Sequence, residues 1–189
     1  MKLPSKQEVL TTPNLISSGG FGLVVAGSIE SDPAKSLYLT ATGRALDLVD
    51  GPVARLTGQG SDFGAKVDAG FDKFGMAAIV AGALTHKRIP PVAAGAIIAH
   101  NAFNAAASIA HEIRHPDEPA RPSKIGKVGL FVENLGVFAY MGAAAVESKR
   151  PNSELARGLT MGGHALTVCG VGLGLIAGIG YLKRATNDA

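Results

Sequence analysis

Four aspartates within a short stretch of a largely apolar chain are the residues best suited to chemistry. They are Asp47, Asp50, Asp68 and Asp72. The first two lie three positions apart and the last two lie four apart, so each pair falls on one face of a helix. Residues 57–62, TGQGSD, have the composition of a turn, with Ser61 or Asp62 as an N-cap. A helical hairpin folded about Gln59 therefore brings all four carboxylates to a similar depth.

The proximity of these carboxylates predicts bound cations. Carboxylates held so close repel one another unless a proton or a cation neutralises them, and the cost rises within a membrane. Hard oxygen ligands, without cysteine or an obligatory histidine, favour Mg²⁺, Mn²⁺ or Ca²⁺. Two such ions about 4 Å apart stabilise both the attacking and the leaving oxygen of a phosphoryl displacement. The aspartates thus predict metal-assisted phosphoryl transfer.

Small residues and one arginine accompany the aspartates. The small residues are Gly51, Ala54 and Gly64. They let a substrate approach the helix backbones, and Arg55 can bind a phosphate through two parallel hydrogen bonds. The structural alternative is a hairpin packed closely through glycine and alanine, with aspartates paired to Arg44, Lys66 and Lys73. That alternative accounts for one or two aspartates, whereas four at mirrored depth favour a functional site.

Long uncharged segments indicate that membrane helices position these residues. The mean hydropathy of the 189-residue chain is only +0.23, because glycine and alanine dilute the average. A transmembrane helix needs about 20 mostly apolar residues. Four runs reach about that length: 9–29, 89–110, 158–182 and, with Glu133 as its one charge, 128–146.

The resulting prediction is an all-α polytopic membrane protein with six transmembrane helices, folded as a single domain over residues 1–189. The predicted spans are about 14–30, 34–57, 61–86, 89–113, 124–147 and 155–182, after an N-terminal cytoplasmic segment 1–12. An even number of spans places both termini on one side. The Lys and Arg count, nine against six, favours the cytoplasm for that side. The turn at 57–61, the aspartates and the basic loop 114–127 would then also face the cytoplasm.

The composition argues against several other classes. The net charge of +3 is small and scattered, and three Tyr, seven Phe and no Trp give no platform for stacking bases, so no nucleic-acid partner is expected. Cys169 is the only cysteine, which rules out an internal disulfide. The first ten residues are mixed polar, and Pro13 interrupts the run that follows. We therefore expect no signal peptide and a first span that is retained.

The spacing of the aspartates and their neighbours resembles the motif of the CDP-alcohol phosphotransferase family. The motif reads Asp47-x2-Asp50-Gly51-x2-Ala54-Arg55-x8-Gly64-x3-Asp68-x3-Asp72. Two further stretches are similar to that family: TTPNL at 11–15, where the first span begins, and SKIGKV at 123–128, where the fifth begins. The length and the six predicted spans also match the family's catalytic core, so the resemblance covers nearly the whole chain.

The resemblance implies a reaction and a set of site residues. Such enzymes transfer a phosphatidyl group from a CDP-linked donor, here CDP-diacylglycerol, to an alcohol and release CMP. The implied ligands of two Mg²⁺ or Mn²⁺ ions are Asp47, Asp50, Asp68 and Asp72. The implied CDP pocket consists of Asn14, Asp50, Gly51, Ala54, Arg55 and Gly64. Asp72 would also be the general base on the acceptor hydroxyl. By resemblance alone we expect a homodimer in the plasma membrane, in contact with membrane lipid.

Basic residues around the start of the fifth span suggest the acceptor. They are Arg114, Arg121, Lys124 and Lys127. Together they would form an anion site for glycerol 3-phosphate, with inositol phosphate and then serine as alternatives. The same charges can equally be the positive charges of a cytoplasmic loop. Many relatives carry Thr and Gln after the Gly-Lys pair, whereas this chain has Leu130, Glu133 and Asn134.

The segment HEIRH offers a rival interpretation, because it fits the zinc-binding pattern H-E-x-x-H. His111 and His115 would bind the ion, and Glu112 would act as the base of an intramembrane metalloprotease. However, Pro116 follows immediately, and a protease leaves the aspartates without a role.

A non-catalytic membrane cation-binding protein is a third possibility, which leaves the glycine and arginine pattern unexplained. His100, within the fourth span, is predicted to pack or to link helices.

Overall fold

A computed structural model describes residues 11–58, 62–115 and 123–186, and all regular structure in these ranges is α-helical. The helices are α1 (Thr12–Ile29), α2 (Pro33–Thr57), α3 (Asp62–Thr85), α4 (Pro91–Arg114), α5 (Lys124–Lys149) and α6 (Glu154–Thr186). Side chains are described throughout except at residues 62, 63, 65–69, 181 and 184–186. The all-α prediction is thus confirmed for these ranges, and each predicted span coincides with one helix.

Polar residues and one glycine set the start of α1 and both ends of α2, the helix that carries Asp47 and Asp50. Thr11 caps α1, since its Oγ1 accepts the backbone N–H three residues later at 3.3 Å. Asp32 caps α2 in the same way at 2.8 Å. At the other end of α2, Gly58 takes a left-handed φ of 65°, which glycine adopts without strain. The helix therefore ends where the turn was predicted, while residues 59–61 lie outside the described ranges.

Residues 1–87 and 88–189 form two compact units. In the first unit, α2 and α3 both pack on α1 and touch each other little. The α1–α2 contacts run from Gly20 against Gly43 to Ser17 against Asp50, so these helices are antiparallel. The helix α1 is therefore the common support of both aspartate-bearing helices.

Glycines let α1 and α2 approach backbone to backbone. A Cβ placed on Gly43 would lie 2.5 Å from the carbonyl oxygen of Gly20 and 2.8 Å from Cγ2 of Val24. A Cβ on Gly20 would lie 2.8 Å from the carbonyl oxygen of Gly43. Carbon atoms do not approach oxygen so closely, and a side chain at either position would push the helices apart. Because Asp47 lies one turn after Gly43, this contact fixes its position along α1.

In the second unit, α6 is the helix on which both α4 and α5 pack. A Cβ on Gly129 of α5 would lie 3.0 Å from the carbonyl oxygen of Gly170 in α6, again a backbone-to-backbone approach. A Cβ on Gly174 of α6 would overlap the imidazole of His100 in α4. Small residues on α6 thus make room for a polar side chain inside this unit.

Three of the helices are long and apolar enough to cross a membrane, within the part of the chain that the structure describes. They are α4, α5 and residues Glu154–Gly180 of α6. Their outward sides carry exposed apolar side chains such as Val92, Ile98 and Val168, as expected for contact with lipid. By contrast, α2 and α3 carry the charges of the aspartate region, and α1 has only 18 residues. These three helices are consistent with a membrane protein, while six spans remain a prediction.

Candidate active site

Asp50 is held against α1 by a serine that the sequence did not single out. The carboxylate is buried, with 5% of its surface exposed. The Ser17 hydroxyl lies within hydrogen-bonding distance of Asp50 Oδ2 and 3.0 Å from the carbonyl oxygen of Pro13. Since a hydroxyl has one hydrogen, it donates to one of these acceptors at a time. A buried carboxylate needs such a partner, and Ser17 therefore fixes Asp50 beside the first turns of α1.

Arg44 joins the two aspartate-bearing helices. Its NH1 lies 3.2 Å from Oδ2 of Asp47 in α2, and its NH2 donates to Oδ1 of Asp72 in α3 at 2.6 Å. Two carboxylates predicted at similar depth therefore contact the same guanidinium. This is also the Arg44 pairing that the structural alternative required. Arg44 and Asp47 are mostly buried, with 19% and 20% of their side chains exposed, whereas 40% of the Asp72 side chain is exposed.

An aromatic stack positions Asp72. The rings of Phe21 in α1 and Phe71 in α3 have centroids 4.6 Å apart and planes inclined by 7°, within the range of stacked aromatic pairs. Because Phe71 directly precedes Asp72, the stack fixes this turn of α3 against α1. Neither phenylalanine was recognised from the sequence, since an aromatic residue in an apolar helix gives no signal of its partner.

The remaining aspartate, Asp68, lies in α3 one turn before Asp72, but its side chain is outside the described residues. Among the side chains that are described, no group of three or more His, Cys, Asp or Glu is placed to hold a metal ion. Asp50 faces Ser17, whereas Asp47 faces Arg44. The metal-binding role of the aspartates therefore stays a prediction.

The predicted CDP pocket combines half-buried small residues with one exposed cation. Asn14, Gly51, Ala54 and Gly64 are half-buried. Arg55 is exposed, and its NH1 would lie 3.8 Å from a Cβ on Gly51, so the guanidinium folds back along α2. No hydrogen bond or ion pair joins Arg55 to another described residue. An exposed guanidinium beside a glycine is well suited to receive a phosphate.

The predicted acceptor-phosphate residues lie at the ends of two helices in the second unit. Lys124 and Lys127 are exposed in the first turn of α5, which Ser123 caps by accepting the backbone N–H of residue 126 at 3.0 Å. Positive side chains at a helix N-terminus oppose the helix dipole, and a bound anion would relieve that repulsion. Arg114 is exposed at the end of α4, whereas Arg121 lies outside the described residues.

The HEIRH segment forms the last turn of α4, which ends at Arg114. The rings of His111 and His115 have centroids 5.0 Å apart. His111 is buried, whereas Glu112, the proposed zinc-protease base, is exposed. Two histidines give only two zinc ligands, fewer than the three protein ligands of catalytic zinc sites. The described residues thus give the protease interpretation no third ligand.

Glu133 is fully buried in the second unit. Its Oε2 lies 2.8 Å from Nδ1 of His100, and its Oε1 accepts the Asn101 amide at 2.7 Å. His100 therefore links α4 to α5, in agreement with the helix-linking role predicted for it. These contacts give Glu133 a structural role within the helix packing.

Replacing Glu133 with alanine is expected to destabilise the protein by about 1–3 kcal/mol for each buried polar group left unpaired. His100, which is buried, would lose its carboxylate partner, whereas the Asn101 amide would keep its hydrogen bond to the carbonyl oxygen of Ile97 at 2.9 Å. Glu112→Ala is the matched control, because Glu112 is exposed on α4. Thermal unfolding in detergent should show a clear fall in Tm for the first variant only, and equal Tm values would contradict the structural role.

The chain was compared with known proteins. A sequence model of the CDP-alcohol phosphatidyltransferase family matches residues 8–169. The matched stretch begins before α1 and extends into α6, so it includes every residue proposed for the site. No curated protein and no solved structure matches the chain significantly.

Proposed function

Since the chain belongs to the CDP-alcohol phosphatidyltransferase family, we propose that it transfers a phosphatidyl group from CDP-diacylglycerol to glycerol 3-phosphate and releases CMP. The family implies transfer from a CDP-alcohol to an acceptor; the donor lipid and the acceptor are our proposal. One observation carries it. Asp47 and Asp72, from two different helices, converge on one cationic group, and Asp50 is buried one turn after Asp47.

Divalent cations complete the proposed site, because the family depends on them. The donor set fits such ions, since carboxylate oxygens are their preferred ligands, and two of these carboxylates already contact the cationic Arg44. The residues that would hold two Mg²⁺ or Mn²⁺ ions are Asp47, Asp50, Asp68 and Asp72. When bound, the ions neutralise the donor diphosphate and stabilise the departing CMP.

Asp72 is the proposed general base. Its Oδ1 accepts a hydrogen bond from Arg44, whereas Oδ2 makes no hydrogen bond with a described residue. Because the side chain is partly exposed, an acceptor hydroxyl can reach Oδ2. As Oδ2 takes the hydroxyl proton, the acceptor oxygen bonds to phosphorus, the phosphoanhydride bond to CMP breaks, and CMP leaves with the electron pair. Arg55 would bind the donor phosphates, and Gly51 and Ala54 would let the nucleotide approach α2.

A phosphorylated acceptor is supported by the lysines of the first turn of α5. Lys124 and Lys127 would bind its phosphate together with Arg114 and Arg121. Glycerol 3-phosphate is the acceptor we favour, inositol phosphate is the alternative with the same charge chemistry, and serine is the third. A neutral acceptor would leave the repulsion of these lysines from the helix dipole unrelieved.

The membrane arrangement that we propose has six spans, both termini in the cytoplasm and the site at the cytoplasmic face of the plasma membrane. Three helices already meet the length and apolar requirements of a span. Charges near one end of α2 and α3 are compatible with spanning if those ends lie at the interface, where polar side chains reach water. We further propose a homodimer, on family resemblance alone.

Release of CMP by the purified protein tests this function. The protein in detergent is incubated with CDP-diacylglycerol and Mg²⁺ or Mn²⁺, and glycerol 3-phosphate, inositol phosphate, inositol and serine are added singly. We expect release only with glycerol 3-phosphate, and loss of release with EDTA. If CMP is released with another alcohol, that alcohol is the acceptor, and the proposed reaction class still holds. No release with any of them, together with proteolysis that requires Glu112, would overturn the proposal.

A further inference from the structure

Arg44 belongs to no part of the proposed reaction, yet it pairs with Asp47 in its own helix, α2, and with Asp72 in α3. Its two terminal nitrogens contact different carboxylates, Asp47 at 3.2 Å and Asp72 at 2.6 Å. The shorter contact has the length of a charge-assisted hydrogen bond. The guanidinium therefore engages one oxygen of each of two carboxylates that are proposed to bind metal ions.

We propose that Arg44 is the resident counter-cation of the metal-free enzyme, which divalent ions must displace from Asp47 and Asp72. The inference rests on the proposed function, because that function supplies the metal ions. It assigns Arg44 a positioning role, since Arg44 acts through the two aspartates and not on the substrate.

The first argument is the competition for oxygen atoms. An oxygen that accepts a short hydrogen bond from a guanidinium directs its electron pair toward that donor. An ion bound at the same oxygen would face the positive charge of Arg44 at close range. Asp47 and Asp72 therefore cannot serve Arg44 and a divalent ion equally well at the same time.

The second argument is the balance of charge. Without cations, Asp47, Asp50 and Asp72 would repel one another across the gap between α2 and α3. Arg44 reduces that repulsion and keeps the carboxylates together before ions bind. Four aspartates balance the charge of two divalent ions, so Arg44 becomes an excess positive charge once both ions are present.

The third argument is the contrast between Arg44 and Arg55, which lies on the same helix. Arg44 is mostly buried and engaged with two carboxylates. Arg55 is exposed and makes no ion pair with a described residue. If removing a positive charge acts only through general electrostatics, substitution of either arginine should raise the affinity for Mn²⁺. If Arg44 competes for the carboxylate oxygens, only its substitution should do so.

The test is a titration of the full-length, EDTA-treated protein in detergent with Mn²⁺, without nucleotide, in which electron paramagnetic resonance measures free Mn²⁺. Arg44→Gln should bind Mn²⁺ about tenfold more tightly than wild type, as expected when one charge-assisted contact no longer competes. Arg55→Gln should bind Mn²⁺ as wild type does. The EDTA-treated Arg44→Gln protein should also have a lower Tm and a larger rise in Tm with Mn²⁺.

Unchanged or weaker Mn²⁺ binding by Arg44→Gln would overturn the inference, and so would equal tightening in Arg55→Gln. If Arg44→Gln does not yield folded protein, Arg44→Lys replaces it. Lysine keeps the charge but cannot hold two carboxylates with a planar fork, so Mn²⁺ should still bind more tightly than to wild type. Unchanged or weaker binding to Arg44→Lys would again refute the role.

The failure of this inference differs from the failure of the proposed function. If the wild-type protein releases CMP but Arg44→Gln binds Mn²⁺ no more tightly than the wild type, only the role of Arg44 is refuted. Wild-type protein that binds Mn²⁺ but releases no CMP would refute the transfer reaction, while tighter binding by Arg44→Gln would still support the counter-cation. Absence of Mn²⁺ binding in both proteins would refute the metal site and the inference with it.

Discussion

Replacing Asp72 with asparagine is expected to lower the rate of CMP release by about 10²–10⁴-fold, while binding of CDP-diacylglycerol changes little. Asparagine has nearly the same shape and keeps an oxygen that can accept the hydrogen bond from Arg44. Unlike a carboxylate, however, it cannot take up the proton of the acceptor hydroxyl. The loss should therefore fall on kcat, measured as CMP release at saturating Mn²⁺ and acceptor.

Lys73→Gln is the control for this variant, because Lys73 is the next residue of α3 and is exposed. It should release CMP at the wild-type rate. Binding of CDP-diacylglycerol is measured in parallel for all three proteins. If Asp72→Asn loses donor binding together with turnover, lost donor or metal binding explains the lost turnover, and the result counts against the assignment as general base.

The helices themselves could be predicted because their signals are local. Long uncharged runs mark three helices that could cross a membrane, and α2 ends at Thr57, where the predicted turn begins. Caps such as Thr11 depend on neighbouring residues only. The spacing within the aspartate motif is also local, since positions three or four apart share a helix face. The similar depth predicted for the four carboxylates follows from counting residues outward from Gln59 on either side.

The packing around the aspartates could not be predicted, because it depends on residues distant in the sequence. The hairpin suggested that α2 and α3 are direct neighbours, whereas each packs mainly on α1. Ser17 lies 33 positions before Asp50, and a serine in an apolar helix has many possible partners. The stack of Phe21 on Phe71 is equally remote. Periodicity shows which face of a helix is apolar but not which helix covers it.

Charged side chains within apolar helices gave a signal with more than one meaning. Glu133 follows the Gly-Lys pair at the start of α5, near the predicted acceptor-phosphate residues, whereas the structure places it in a buried contact with His100 and Asn101. Arg44 was noted as an ion-pair partner, and it is one. A sequence shows that such charges need partners. Whether a charge has a structural or a functional role depends on which residue is its partner, and the sequence does not identify that residue.

Gly43→Ala is expected to lower both the stability and the activity of the protein. The added methyl group would lie 2.5 Å from the carbonyl oxygen of Gly20 and 2.9 Å from the backbone nitrogen of Val24. Backbone atoms of a helix cannot rotate away, so α1 and α2 must separate, at a cost of about 1–3 kcal/mol. Thermal unfolding in detergent should show the loss as a lower Tm.

Gly22→Ala in α1 is the matched control, because a Cβ there meets no atom within 4 Å. That variant should be neutral or more stable by about 0.5–1 kcal/mol, since alanine favours the helix over glycine. Equal Tm values for the two variants would contradict the close packing of α1 on α2.

The effect of Gly43→Ala on activity follows from what α1 supports. Separation of α1 and α2 would draw Ser17 away from Asp50 and shift Asp47 relative to Asp72, which the aromatic stack keeps against α1. CMP release should then fall even at temperatures where the variant is fully folded, and excess Mn²⁺ should restore part of it by drawing the carboxylates together. Wild-type turnover by folded Gly43→Ala would mean that the spacing of α1 and α2 does not set the geometry of the site.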